Sequence, residues 1–442
     1  MKRQKVTPIE KIITPIRKFI TNGKSGGIVL ASSAVLALII ANSPFREYYF
    51  ELLEKRISIN INSNAFLDLS IHQWINDGLM AIFFFVIGLE LKREIIAGEL
   101  SKPKDAILPI IAAIGGMAVP ALIFFLLNPS GEASNGWGIP MATDIAFALG
   151  VLYLLGDKVP LSLKVFLTAV AIVDDLGAVL VIALFYTTEI SLLTLGAGVV
   201  FILLMFLGNK LGIRNSLFFA LLGIGGAWTL FLLSGVHATI AAVLAAFMIP
   251  THVKINEEVF SARVKKHLNQ FQKATPNDLP TITSEQLHIL ERLSIDTRKA
   301  LTPLQRLEHI MHPIVTFFVI PIFALANAGI TFVDTKLDML LENNIAIGVA
   351  LGLLLGKVIG ITGFTWISVK LRIANLPKGM SLKNILGLAF LASIGFTMSL
   401  FITQLAYDTE LYRMQAKIGI FTASIIGGIT GYFMLNKKTK AK

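Results

Sequence analysis

Apolar residues in this chain fall in long unbroken blocks rather than in the one-sided stripes of a water-soluble helix. Twelve blocks stand out, at 26–43, 74–91, 106–127, 137–155, 163–186, 191–208, 215–234, 236–250, 312–332, 345–369, 384–406 and 415–435. A helix needs about 20 apolar residues to cross a bilayer, and most of these blocks approach that length. The eighth is short. It follows the seventh across Ser234-Gly235, so a short or partly embedded helix is expected there.

Two segments depart from this rhythm. Within 46–73, Ile57-Ser-Ile-Asn-Ile61 and Phe66-Leu-Asp-Leu-Ser-Ile71 alternate as strands do, and Asn62-Ser-Asn64 supplies a turn, which predicts a β-hairpin. Residues 251–305 form a long polar connection. There Thr283-Ser-Glu-Gln286 fits a capping box, and Leu287, Leu290 and Leu293 would stripe one face of the helix that follows. The segment as a whole reads as a solvated linker between two halves.

Composition narrows the class. Of 442 residues 55% are hydrophobic and only 15% charged, with mean hydropathy +0.73. Soluble domains carry about 25% charged residues. A soluble enzyme, a nucleic-acid binder and a disordered scaffold are excluded. An all-α polytopic membrane protein of about twelve spans, forming a single integral membrane domain over 1–442, is expected.

The net charge of +11 becomes informative once it is placed on this topology. With the N-terminus inside, 32 of the 39 basic residues fall on inside segments and 6 on outside ones, and only Lys357 lies within a span. Basic residues collect on the cytoplasmic side, so both termini are expected there, with 46–73 external and 251–305 cytoplasmic. The start, MKRQKVTPIEKIITPIRKF, is too polar for a cleavable signal, so the first block reads as an uncleaved span. There is no cysteine, hence no disulfide or thiolate chemistry.

Ionisable residues at lipid depth are functional candidates because burying them in hydrocarbon costs several kcal/mol. Asp174 lies ten residues beyond Lys164, about 15 Å at 1.5 Å per residue. That is half of a roughly 30 Å core. Lys357 and Asp144 reach similar depth by the same count. None can face lipid. Asp174 and Asp175 are adjacent, so on a helix they point about 100° apart. One can face a cavity while the other meets a neighbouring helix.

The fourth block reads Gly136-Trp-Gly-Ile-Pro-Met-Ala-Thr-Asp-Ile-Ala146 and the eleventh Ala392-Ser-Ile-Gly-Phe-Thr-Met-Ser399. Gly, Pro and hydroxyl residues there predict two interrupted helices, whose free carbonyls and dipole ends can serve an ion. Small residues for close helix packing remain a second reading, more so for the eleventh. The two interrupted spans are the middle members of spans 3–5 and 10–12, which enter the membrane in opposite directions. That is the pattern of an inverted-topology repeat.

These residues resemble the NhaA-type sodium/proton antiporter family. The matching stretches run from Phe83-Phe-Phe-Val-Ile-Gly-Leu-Glu-Leu-Lys-Arg-Glu94 through Ala142-Thr-Asp-Ile-Ala-Phe-Ala148 and Ile172-Val-Asp-Asp-Leu-Gly177. They continue with Ser234-Gly-Val-His-Ala-Thr239, Arg306-Leu-Glu-His-Ile-Met-His-Pro313, Ala324-Leu-Ala-Asn-Ala-Gly329, Gly356-Lys357 and Gly395-Phe-Thr-Met-Ser399. The connector at 251–305 looks longer than is usual in the family.

The resemblance implies exchange of cytoplasmic Na⁺ and Li⁺ for external H⁺, activated at alkaline pH, serving pH and sodium homeostasis. It implies a bacterial cytoplasmic (inner) membrane and no cofactor. Asp175 is then the principal cation ligand and proton carrier, with Asp174 beside it pairing with Lys357 when the cation is absent. Thr143 and Asp144 match the broken-helix motif next to the site. Glu90, Glu94, Glu308, His309 and His312 match a cytoplasmic pH-sensing cluster, and His237 a histidine also linked to pH response. The hairpin at 57–71 matches one that joins two protomers into a homodimer.

Physics supplies a mechanism beside the resemblance. A carboxylate site can hold a proton or a hard cation, since both neutralise the same oxygens. Opening to one side at a time, alternating access, turns that competition into exchange. Two acids and a titrating lysine also allow more than one proton per sodium, which is electrogenic. Three rivals compete. An intramembrane aspartyl protease would place its acids in a Gly-x-Gly-Asp setting, which neither Asp144 nor Asp174 has. A cation channel would need a symmetric pore. An organic-anion transporter would favour basic residues at the site.

Overall fold

The computed structural model describes residues 25–61, 64–187, 190–275, 281–331, 344–377 and 379–436. The basic stretch at 2–24, the lysines at 437–442, Lys336, Lys378 and the turn residues Asn62 and Ser63 lie outside the described residues.

Each of the twelve apolar blocks is mostly helical over its described residues. In chain order the elements are α1 (Ser25–Ala41), α2 (Arg46–Glu54), β1 (Arg56–Ile61), β2 (Asn64–Ser70), α3 (Met80–Ala97) and α4 (Pro103–Leu127). A 3₁₀ stretch, Glu132–Met141, precedes α5 (Ile145–Leu154), followed by α6 (Leu161–Phe185), α7 (Leu192–Lys210), α8 (Ser216–Leu233) and α9 (Ala238–Met248). Then come α10 (Glu257–Lys273), α11 (Ser284–Ala300), α12 (Pro303–Asn327), α13 (Ile345–Lys370), α14 (Leu382–Ala392), α15 (Phe396–Ala406) and α16 (Glu410–Asn436).

Not all twelve blocks make full spans. Among the described residues eight helices are long and apolar enough to cross a membrane, and up to ten if the bent pairs α1–α2 (111°) and α14–α15 (49°) each count as one. The protein is therefore a multi-pass membrane protein with eight to ten candidate spans rather than a demonstrated twelve. α3 falls outside that set with Glu90, Lys92, Arg93 and Glu94 in its last turns, and α9 has only 11 residues, as its short block predicts.

The hairpin forms as its alternation requires. β1 and β2 pair antiparallel with Ile57 opposite Leu69 and Ile59 opposite Leu67, and Arg56 closes the base onto Asp68 at 2.9 Å. Ser70 and Gln73 then cap the helical turn leading into α3.

The segment 251–305 is not an open linker. α10 and α11 pack as a helical hairpin. The Thr283–Gln286 capping box is present. The buried face differs from the leucine stripe, however: Leu287 and Leu290 are 47% and 40% exposed, while Gln286, Ile289 and Asp296 are buried. Polar pairing decides the rotation. Asp296 receives Arg263 at 3.0 Å and lies 3.2 Å from His267, both on α10.

Burial pushes the Asp296 carboxyl up, but hydrogen bonds from His267 and Arg263, with Lys299 nearby, outweigh it and hold the carboxyl below its ordinary range. A carboxyl depressed on folding stabilises at every pH above its unfolded value, about 3.9, and loses that stabilisation as pH falls through the lower folded value. Asp296→Asn should therefore raise hydrogen exchange across 257–300 at neutral pH, a change the parent chain shows only below about pH 4. Unchanged protection in the variant would mean that these bonds do not hold the hairpin.

Close backbone contact positions the centre of the molecule. α13 lies along α4 where two glycines meet: a Cβ on Gly360 would come within 2.1 Å of the Gly115 carbonyl oxygen. Small residues allow such an approach between membrane helices. A wide π turn, Gly352–Gly356, immediately precedes Lys357, and Gly356 in turn abuts Pro120 of α4. Lys357 is thereby held at the crossing.

Candidate functional site

Three broken or adjacent elements converge on one buried polar centre. α6 carries Asp174 and Asp175 at consecutive positions, so their side chains diverge. Asp174 turns to α13, where its Oδ2 accepts from Lys357 Nζ at 2.5 Å, with the two side chains 2% and 1% exposed. Asp175 is buried too, yet neither of its oxygens has a hydrogen-bond partner among the described residues, and Asp174 Oδ1 has none either. Thr143 lies against Asp174.

Asp144 sits a few residues away in a different situation. It is the N-cap of α5, and its Oδ1 accepts from the Phe147 N–H at 2.9 Å. Its Oδ2 accepts from both the N–H (3.0 Å) and the hydroxyl (2.5 Å) of Thr397 at the start of α15. Two helix N-termini therefore point their positive ends at one carboxylate, each such contact worth about 0.3–1 kcal/mol at a surface and up to ~2 when partly buried.

The opposite pairing completes the crossing. The Asp144 N–H donates to the Ile394 carbonyl at 2.7 Å, and the Thr143 hydroxyl to the Ala392 carbonyl at 2.8 Å, both at the end of α14. The interruptions expected in the fourth and eleventh blocks are thus real, and each break satisfies the other. Asp144 thus spends one oxygen on its own helix and the other on that crossing, whereas those of Asp175 have no hydrogen-bond partner among the described residues.

A second cluster lies where α3 ends and α12 begins. Arg93 stands between Glu94 (2.9 Å) and Glu308 (3.0 Å), and the other Glu94 oxygen accepts from the Glu99 N–H. Glu90 lies within electrostatic reach of Glu308, Arg93 and Glu94, and also of Asp175. His309 neighbours both Glu308 and His312. Beside them Lys92 donates to the Phe247 and Ile249 carbonyls at 2.5 and 2.6 Å, closing the end of α9.

The structure therefore brings Glu90, Glu94, Glu308, His309 and His312 together but leaves His237 out. His237 precedes α9 and shares a cavity with Arg56, His72 and Asp77, at the hairpin end of α3. Its Nε2 lies 2.7 Å from the Tyr186 carbonyl oxygen. Two residues of these centres are not evident from sequence as candidates, Arg93 and Thr397. The available signals were an Arg flanked by Glu90 and Glu94, and a hydroxyl just past the eleventh block's break.

Comparison with known proteins places the whole chain in one family. The family model described as Na⁺/H⁺ antiporter 1 matches residues 17–435. A relative from Oleidesulfovibrio alaskensis named Na(+)/H(+) antiporter NhaA is 49% identical over 97% of this chain and 95% of its own. One from Saccharophagus degradans, Na(+)/H(+) antiporter NhaA 1, is 45% identical over 97% of this chain and 92% of its own. A third, from Acidithiobacillus ferrooxidans, is 44% identical over 98% and 99%. With its buried acid–lysine centre and a match over nearly its whole length, the chain belongs to the Na⁺/H⁺ antiporter 1 family.

Proposed function

We propose that this protein is a secondary transporter, not an enzyme, that exchanges cytoplasmic Na⁺ and Li⁺ for external H⁺. The observation that carries this reading is Asp175, a fully buried carboxylate with no hydrogen-bond partner on either oxygen among the described residues, beside the bonded Asp174–Lys357 pair. A buried carboxylate needs a neutralising partner. A proton or a hard cation can serve, the cation taking further oxygens from Asp174 and Thr143.

The cation and the proton compete for the same oxygens, so exposing the site alternately to the two sides couples their flows. When Na⁺ recruits Asp174, Lys357 loses the partner that holds its charge and gives up a proton. More than one proton then moves per sodium, and exchange is electrogenic. In this reading α4 to α6 and α13 to α16 form the inverted repeat, and the crossed breaks at 142–144 and 393–395 are where the chain bends. Asp144 keeps that crossing neutral. The protein works in the bacterial cytoplasmic membrane with both termini inside, as a homodimer joined through the β1–β2 hairpin, whose Ile57 and Ile59 are exposed.

Reconstitution into liposomes tests the function. An imposed pH gradient should drive ²²Na⁺ uptake, and its absence would overturn the reading. Conductance without proton counterflow would favour a channel instead.

Activation at alkaline pH is assigned to the cluster at the α3 and α12 ends. There loss of protons changes the charge around Arg93, which bonds Glu94 of α3 to Glu308 of α12, and so shifts one helix against the other. Glu308→Gln with His309→Ala leaves a cluster that holds fewer protons at any pH. The pH of half-maximal exchange should move down by about half a unit or more, with maximal rate little changed. A fixed profile that moves only in Asp175 variants would place the pH dependence at the ion site alone.

A further inference from the structure

The helix that carries the two acids also ends in a clamp. Tyr186 terminates α6, its N–H still donating to the Ile182 carbonyl at 3.2 Å. Its phenol crosses to the 3₁₀ stretch before α5, donating to the Asn135 carbonyl at 2.6 Å and accepting from the Gly138 N–H at 3.2 Å. The ring is buried against Trp137, with centroids 6.4 Å apart, and Trp137 meets Phe185 edge-on at 5.0 Å. Glycine is required at 138, where a Cβ would lie 2.7 Å from the phenol oxygen.

α6 therefore holds the broken fourth span at two heights. Tyr186 grips Asn135 and Gly138, and Asp174 lies against Thr143. Between them the 3₁₀ stretch gives way to the non-helical residues 142–144. A ten-residue 3₁₀ run has poor internal hydrogen bonds, so its placement depends on the side chains that bond it: Tyr407 at Ala133, Tyr186 at Asn135 and Gly138, and Ser399 at Ile139.

We propose that the Tyr186 phenol is a positioning residue for ion binding: it sets the height of the broken segment along α6 and so places Thr143 beside Asp174 and Asp175. The inference rests on the exchange reading above. It also gives His237 a connection to the site, because the carbonyl that His237 meets belongs to the clamp residue itself.

Tyr186→Phe keeps the ring and removes both bonds. In proteoliposomes of the full chain, the apparent KM for Na⁺ should rise roughly three- to tenfold, as expected for a lost buried hydrogen bond, with the maximal rate changed less than about twofold. A purely structural role would lower the amount of folded protein and the maximal rate while leaving KM alone.

A double-mutant cycle with Thr143→Ala tests the route. If Tyr186 acts by placing Thr143, Tyr186→Phe adds less than about a twofold KM change in the Thr143→Ala background. Full additivity, or an unchanged KM in Tyr186→Phe alone, overturns the inference while the parent still exchanges. No exchange in the parent chain overturns the functional reading, and this inference with it.

Discussion

Asp175→Asn should abolish Na⁺-dependent proton exchange while leaving the protein folded and at least as stable as the parent. The amide has the shape of the carboxylate but cannot trade a proton for a cation. Because neither Asp175 oxygen is hydrogen-bonded among the described residues, the substitution removes no intramolecular bond and relieves a buried charge of its desolvation cost. Loss should reach at least about a hundredfold, as for a group through which every turnover passes. Dequenching of a ΔpH-sensitive dye by added Na⁺ in everted vesicles reads the rate, and a thermal-shift assay in detergent reads the fold. Residual exchange near the parent level at any pH would remove Asp175 from the centre of the mechanism.

The depth of the site was legible because helical rise is constant. Counting from the span ends levels Asp144, Asp174 and Lys357, and the structure bonds Asp174 to Lys357. Which of the two adjacent acids meets the lysine was not legible from their positions. Their 100° separation says that their environments differ, but the rotation of α6 is fixed by its neighbours.

Asp144 shows the same limit more sharply. By depth it reads as another ion ligand, yet its carboxylate is spent on Phe147 and on Thr397, a residue 253 positions away. Only the folded crossing of two breaks reveals that. Local rules also fail where polar pairing outweighs hydrophobic patterning. In α11 the leucine stripe predicts one buried face, and the Asp296 contacts with Arg263 and His267 select another. The resemblance links His237 to pH response, and the fold sets it at the Tyr186 carbonyl by the hairpin end of α3, away from the cluster at the other end.

Lys357→Ala should act in the opposite sense to Asp175→Asn, lowering stability as well as transport. Its ammonium is 1% exposed and bonded to Asp174 at 2.5 Å, in a helix pressed against α4 through Gly115 and Gly360. Truncation leaves Asp174 buried without its counter-charge and opens a gap where the long side chain lay. Breaking one member of a buried pair costs about 3–5 kcal/mol in soluble proteins, less to the extent that the orphaned acid takes up a proton. The melting temperature in detergent should therefore fall, and fall further at higher pH, where a proton is harder to recruit. Adding Asp174→Asn removes the unpaired charge but not the gap, so it should restore part of the loss and abolish its pH dependence. A melting temperature equal to the parent's in Lys357→Ala would mean that the pair contributes nothing to the fold, and the release of Lys357 by a cation on Asp174 could not then couple sodium to a second proton.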